Sequence, residues 1–325
     1  MTPTQPTAEQ DRRAVLVVGD ANPDLLLRGD VVPRFRQHEQ LLTDATLVLA
    51  GSAGITAHGL ARLGRPVTLL AAIGDDAYGS FVREQLQAAG VGVDLLHYAA
   101  DLPTGLSVIL SRSDDRAILT LPGAIPTLTT DDVARALAST APGHLHVASL
   151  FLQPQLVDEW PALLAQARAA GWTTSLDTNA DPADRYRGVD AVLEHVDLFL
   201  PNATEASAIA GVAEPRAAAA ALAAAGPLVV MTDGGNGALA AAPDGSVLAV
   251  AAVPCHVVDS TGAGDTFAAV FLDAWLDGRD IDTALRRSVF AASRVVAGLG
   301  GTAGQPTAAD IDAAAPGPAR RAVHA

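Results

Sequence analysis

The residues best suited to chemistry lie in one run, Asp259-Ser260-Thr261-Gly262-Ala263-Gly264-Asp265-Thr266-Phe267. A Gly-Ala-Gly turn feeding a helix exposes several backbone N–H groups with no side chain in the way. With the helix dipole behind them, they form a site for phosphate charge. The apolar spacing over Ala268–Asp277 predicts that helix and sets Asp265 in its first turn. A carboxylate there can accept a proton from an attacking hydroxyl while the amides of Gly262, Ala263 and Gly264 hold the phosphoryl group. Taken alone, a glycine turn followed by aspartate is equally an ordinary capped helix start. The full nine-residue string is far more specific.

Composition narrows the chemistry. All 21 basic residues are arginine and none is lysine. A Walker-type phosphate loop, a protein-kinase ion pair and a pyridoxal Schiff base each need a lysine, so none is present in standard form. If the protein handles phosphate, it does so with backbone amides, arginine and a metal. A net charge of -15 argues against a nucleic-acid or anionic-membrane partner. One cysteine, Cys255, excludes an internal disulfide and reads as a small core residue. His144 and His146 share a strand face, but no third ligand follows at a usual metal spacing. The N-terminal stretch lacks an apolar core of signal-peptide length, and no run approaches the roughly 20 apolar residues of a membrane span. The expectation is a cytoplasmic protein.

Strands and helices alternate around that run. Strands are expected at Val15–Val18, Val67–Ile73, His144–Leu150, Thr173–Asp177, Val196–Pro201 and Leu228–Thr232. Helices are expected at Gly54–Leu63, Tyr78–Ala89, Thr130–Ser139, Pro154–Ala170, Thr204–Ile209 and Pro215–Ala225, the last almost pure alanine and stopped by Gly226. This order predicts an α/β fold with a doubly wound, mostly parallel sheet flanked by helices. Two stretches break the rhythm, at about 25–50 and 101–121, where Thr46–Leu49, Leu106–Ser111 and Ala117–Leu121 have no helix between them. They predict a small antiparallel sheet acting as a lid. The organisation expected is a tail over 1–14, one folded unit over 15–312 and a second tail over 313–325. Lid sheets with exposed edges could also pair two copies into a homodimer.

Asp259–Phe267 resembles the C-terminal signature of the ribokinase-like (PfkB) carbohydrate and nucleoside kinases. The likeness extends along most of the chain. Gly19-Asp-Ala-Asn22-Pro-Asp24 is similar to the family's first strand and substrate turn, and Gly51-Ser52-Ala-Gly-Ile55-Thr-Ala57 through Gly64 to its N-terminal signature. Ile73–Gly79, Pro201–Glu205 and Thr232–Gly237 also fall in family order.

The resemblance implies ATP-dependent transfer of the γ-phosphoryl group to an alcohol of a small sugar or polyol. Asp265 would be the general base, and Gly262, Ala263 and Gly264 the anion hole. Asn202 and Glu205 would position Mg²⁺ and its waters, a hard-oxygen environment that Mg²⁺ prefers. Asp177, Asn179, Asn202, Thr232, Gly234, Gly237 and Thr261 would line the nucleotide site, with Arg185 within reach of the phosphates. Asn22, Asp24, Gly51 and Ser52 would face the sugar. A K⁺ ion beside the anion hole is a further implication. Each of these residues also has a plainer reading, as an Asx turn, a β-turn, a helix-start carboxylate or a surface arginine.

Two positions depart from the family pattern. Ile55 and Ile125 stand where members carry asparagines that bind sugar hydroxyls. An unpaired hydroxyl can cost orders of magnitude in specificity, so the sugar is left open. A nucleoside kinase of the same fold stays as an alternative, with Phe35 and Phe151 as the aromatic rings near it. So does a non-catalytic sugar or nucleotide sensor. Arg34, Arg36 and His38, with Arg112 and Arg116, could meet a phosphorylated substrate, or form a solvated lid face. A dehydrogenase is disfavoured, because Gly19–Pro23 lacks the dinucleotide fingerprint.

Overall fold

A computed structural model describes residues 12–112 and 116–314. Along the chain run β1 (Val15–Val18), β2 (Asn22–Gly29), β3 (Leu42–Ala50), α1 (Ser52–Arg62), β4 (Val67–Leu70), β5 (Ala72–Gly74) and α2 (Ala77–Ala89). Then come β6 (His97–Ala99), β7 (Leu106–Ser111), β8 (Arg116–Leu121), α3 (Thr130–Ser139), β9 (His144–Ala148), α4 (Trp160–Ala169) and β10 (Thr173–Asp177). The rest comprises α5 (Val189–Leu193), β11 (Leu198–Phe199), α6 (Ala203–Ala210), α7 (Pro215–Ala223), β12 (Leu228–Thr232), β13 (Ala238–Ala241), β14 (Val247–Val250), α8 (Ala263–Leu276), α9 (Ile281–Val295) and α10 (Ala308–Ala314).

The main sheet has eight strands in the order β14-β13-β12-β11-β10-β9-β1-β4. From β4 to β12 every pairing is parallel, and β13 and β14 add antiparallel strands at one edge. Strand alternation divides the core between two faces. Leu16 and Val18 join Leu145, Val147, Trp160 and Leu163 on one side; Val15 and Val17 join Leu60, Phe267 and Phe271 on the other. Helix α8 is buried without a break from Asp265 to Ala274, the signature of a central helix rather than a surface one. Its exit is pinned by Arg65, which donates to Asp273 Oδ1 at 2.7 Å and to the Asp273 carbonyl at 2.9 Å.

The second sheet runs β3-β2-β7-β8. It is mixed rather than antiparallel as expected, because β2 pairs parallel with β7 while the outer pairs are antiparallel. Pro23 is tolerated near the start of β2, where a missing N–H costs least. Asp76 ties this sheet's base to the main body: it caps α2 through Gly79 N at 2.8 Å and accepts from Thr104 N at 2.9 Å.

Several boundaries differ from expectation. The strand expected over Val67–Ile73 splits at Ala71, and β5 leaves to pair with β6. The strand expected over His144–Leu150 stops at Ala148, because Ser149 takes a left-handed conformation (φ 53°). The helix expected from Pro154 begins only at Trp160, with Pro161 in its first turn. The strand around Val196–Pro201 shortens to Leu198–Phe199. Of the expected tails, residues 1–11 and 315–325 lie outside the described residues. Arg12 is docked, donating to Asp273 at 2.7 Å and Asp277 at 2.8 Å, and the Ala14 carbonyl accepts from His144 N at 2.9 Å. Among the described residues no helix is long and apolar enough to cross a membrane.

Candidate active site

Helix α8 begins at Gly262, whose φ of 72° favours glycine and whose Cβ would fall 2.4 Å from Gly301 Cα. No side chain caps this helix; the Ala263 N–H donates to the Ser260 carbonyl at 3.4 Å, a long contact that a bound anion can displace. Asp265 follows in that turn, with a buried carboxylate that accepts a hydrogen bond from Ser52 Oγ at the start of α1. Burial pushes its pKa up to about 7; hydrogen bonds from Ser52 and Asn179 oppose the rise, and the charges of Asp20 and Glu205 add to it. A carboxyl poised near neutrality in the first turn of a helix without a side-chain cap combines a proton acceptor with an anion site.

Around this helix start lies a cavity of about 330 Å³ lined by Asp177, Asn179, Asn202, Glu205, Thr232, Thr261, Gly262, Gly264 and Asp265, among others. Asp177 ends β10 and Asn202 caps α6, so the parallel strands deliver both at their C-terminal edge. Asn202 and Glu205 form a reciprocal capping box: Glu205 N donates to Asn202 Oδ1 at 2.9 Å and Asn202 N to Glu205 Oε2 at 3.0 Å. Burial raises the pKa of Glu205 and raises that of Asp177 well above its ordinary value, with the charges of Glu205 and Asp265 adding to the latter. Carboxylates crowded this way favour a cation, and an all-oxygen set suits Mg²⁺. Among the described residues no three His, Cys, Asp or Glu converge as a closed metal cage, so an ion here would keep several waters.

A second, mainly apolar cavity of about 550 Å³ adjoins the first and shares Thr232, Ser260, Gly264 and Phe267 with it. Gly234 and Gly237 line it, as do Val289, Ala292 and Val296 of the α9 region. Cys255 lines it too and is exposed, which corrects the expectation of a core cysteine. Residues 251–257 carry neither strand nor helix, so no sheet face is there to bury it.

Asn22 and Asp24 belong to β2, at the root of the lid, and not to the end of the first parallel strand as expected. Asn22 Nδ2 donates to Asp24 Oδ1 at 3.1 Å, both residues being buried. Burial lifts the Asp24 carboxyl to about 6 against hydrogen bonds from Ser107 and Asn22. Gly51 and Ser52 bring the start of α1 to Asp265. Ile55 and Ile125 are buried at 3% and 2% exposure and line neither cavity. Ile55 packs against Gly301, and Ile125 against Gly105. Arg185 lies exposed on the surface, outside the lining of both cavities. Phe35 is 88% exposed on the lid, and Phe151 meets Tyr186 edge-on at 5.6 Å.

Arg116, expected on a solvated lid face or against a phosphorylated substrate, is found at the first cavity. Its guanidinium leaves the lid to line the first cavity, donating to Thr261 Oγ1 at 2.8 Å and Asp259 Oδ1 at 3.1 Å. Asp259 is thereby a hub, accepting also from Thr261 N at 2.9 Å and Gly300 N at 3.0 Å. Burial works against its charge, yet these hydrogen bonds and Arg116 hold its pKa below the usual value. Arg34 pairs instead with Asp30, while Arg36 and His38 are exposed. His144 Nε2 and His146 Nδ1 meet Ser175 Oγ at 2.7 and 2.8 Å.

Comparison with known proteins agrees with this architecture. The family model for pfkB family carbohydrate kinases matches residues 12–308. A ribokinase of Bacillus subtilis is 29% identical over 300 residues, which is 92% of this chain and 98% of that protein. A PfkB protein from Polaromonas sp. JS666 superposes with a TM-score of 0.77 at 27% identity, covering 93% of this chain and all of that one (100%). The Arabidopsis thaliana ribokinase complexed with ribose and ATP has the same fold, with a TM-score of 0.79 at 24% identity over 93% of this chain and 98% of that one.

Proposed function

The chain belongs to the pfkB family of carbohydrate kinases and is a phosphotransferase acting on a sugar hydroxyl, and from that premise we propose that Asp265 is its general base in transfer from ATP. The observation that carries this reading is the position of one buried carboxylate, Asp265, in the first turn of a helix without a side-chain cap. Asp265 takes the proton of the acceptor hydroxyl as its oxygen attacks the γ-phosphorus. The bond from the γ-phosphorus to the bridging oxygen breaks, and ADP leaves. The amides of Gly262, Ala263 and Gly264 receive the charge on the transferring group.

ATP lies across the two adjoining cavities in this reading. Its base occupies the apolar one beside Gly234, Gly237 and Val296, and its phosphates reach Thr232, Thr261 and Gly264. Asn202 and Glu205 would hold Mg²⁺ through oxygen contacts and its waters, neutralising phosphate charge, with Asp177 and Asn179 lining the same cavity. A K⁺ ion held by backbone carbonyls near the loop belongs to the same reading. Cytoplasmic residence is kept as part of it.

The acceptor sits between β2 and the start of α1, against Asn22, Asp24, Gly51 and Ser52. Asp24 and Asp265 are carboxylates, and Asp20 and Asp259 add their fields to that of Asp24. Among the residues assigned to the acceptor, Asn22, Asp24, Gly51 and Ser52, none is basic. A neutral polyol such as a pentose or deoxypentose suits these groups better than a sugar acid or sugar phosphate. Ile55 and Ile125 are buried and offer that end no polar group.

The lid sheet leaves Ile118, Leu119 and Leu121 of β8 exposed. A second copy of the chain covering this sheet completes the proposal. The test of the activity is product formation from Mg-ATP with neutral pentoses, hexoses, sugar acids, sugar phosphates and nucleosides, read by mass and ADP release. Turnover of a neutral sugar is expected. Turnover confined to anionic acceptors would overturn the charge argument, and turnover confined to nucleosides would overturn the sugar reading.

A further inference from the structure

Asp20 is buried just beyond β1 and serves two elements at once. Its Oδ1 accepts from Ala53 N at 3.2 Å and from Ser149 Oγ at 2.7 Å. The first contact caps α1 from outside, since the helix's own N-cap is Gly51, which has no side chain to offer. That helix presents Ser52 to Asp265. The second contact leads the other way. Ser149 N donates to Asn179 Oδ1 at 2.8 Å. A backbone N–H can only donate, so the carbonyl end of the Asn179 amide faces Ser149, and its NH₂ is left for Asp265, whose charged form Asn179 favours.

Ser149 and Asn179 have φ of 53° and 52°, a sparsely populated conformation for residues with side chains. Such conformations persist where the surroundings over-determine them, and they gather at functional sites. Neither Asp20 nor Ser149 lines either cavity. We propose that Asp20 and Ser149 are positioning residues, which hold the start of α1 and the Asn179 carbonyl so that Ser52 and Asn179 both aim at the Asp265 carboxylate. This rests on the reading of Asp265 as the base, although the hydrogen-bond relay can be tested without it.

Asp265 is faced by Asp20 beyond β1, Asp177 at the end of β10, Glu205 on α6 and Arg116 across the cavity, with Asp259 below the loop. Asp20→Asn would remove one of these charges along with an acceptor, so Ser149 is the better place to cut. Ser149→Ala deletes the hydroxyl, and Ser149→Gly deletes it while suiting the left-handed backbone, which separates strain from hydrogen bonding. Both variants should lower kcat at neutral pH by about tenfold or more with little change in the KM for ATP. Both should also move the acid limb of the kcat profile upward by about one pH unit, because Asp265 loses support for its charged form. A carboxyl ¹³C titration, with the Asp265 signal identified by its loss in Asp265→Asn, should move in the same direction. If the titration and the acid limb both coincide with wild type, the proposal falls. Should no acceptor be turned over by wild type, the kinase mechanism fails, while the carbon titration still decides whether the relay exists.

Discussion

Arg116 Nη1 donates to Thr261 Oγ1 at 2.8 Å, joining the last strand of the lid to the loop before α8, 145 residues further along the chain. The lid is thereby seated on the site by one fixed cation, in a chain whose every basic residue is arginine. Closure that excludes water matters for a kinase, since an open site would let water compete with the acceptor.

Arg116→Ala removes that contact. Because Arg116 is exposed, thermal stability should change by less than about 0.5 kcal/mol. Steady-state kinetics should show kcat/KM for the sugar lowered by about 10- to 100-fold, with ADP release without sugar rising relative to it. Unchanged kinetics would remove the lid arginine from the account.

The pH dependence follows from the raised carboxyls. Asp265, at about 7, must lose its proton to act as base, so kcat should rise about tenfold per pH unit below neutrality and level off above it. Stability should move oppositely. A carboxyl whose pKa is higher in the folded chain than in the unfolded one binds its proton more tightly when folded. Its contribution is complete below the unfolded value near 4 and is lost as pH rises through about 6 for Asp24 and about 7 for Asp265. Asp265→Asn should therefore be more stable than wild type at pH 8, by about 1–4 kcal/mol, and nearly equal to it at pH 4. Denaturant titrations at the two pH values measure this.

The anchor of α8 predicts a stability effect away from the chemistry. The Arg65 side chain is fully buried (0% exposed) and is matched by Asp273, itself 8% exposed. Arg65→Met leaves Asp273 with only Arg12 and should cost about 3–5 kcal/mol, seen as a drop in Tm. The cost should appear in kcat only to the extent that α8, two turns upstream, shifts Asp265.

Pairing through the lid predicts a dimer that depends on the β8 face. Leu119 is 60% exposed in the single chain. Light scattering should give twice the chain mass of 33.0 kDa for wild type and the single mass for Leu119→Asp. Equal masses would put the apolar face to some other use.

Much of this architecture is legible in the sequence. Thr173–Asp177, Leu228–Thr232 and Leu106–Ser111 emerge at their expected bounds, because each is a short β-rich run between clear breakers. Thr130–Ser139 does too, with Thr129 and Asp132 forming a capping box at its start. What sequence could not convey was contact at a distance. Gly19–Ala21 carries the chain from one sheet to another, so Asn22 and Asp24 land on the lid rather than on the main sheet's edge. Arg116 looks like a solvated strand residue until its partners at Asp259 and Thr261 fold beside it. Ser149 offers no local signal at all: its role arises only from the approach of Asp20 and Asn179. Cys255 sits among apolar neighbours, and its exposure follows from the irregular backbone there.

The most direct test sets wild type and Asp265→Asn side by side, measuring sugar phosphate formed from Mg-ATP together with ATP binding by calorimetry. With Asp265 as the base, the variant binds ATP within about twofold of wild type, while turnover falls by 10²–10⁴ or more. Turnover within a few-fold of wild type would contradict that role and send the search for the base to another residue.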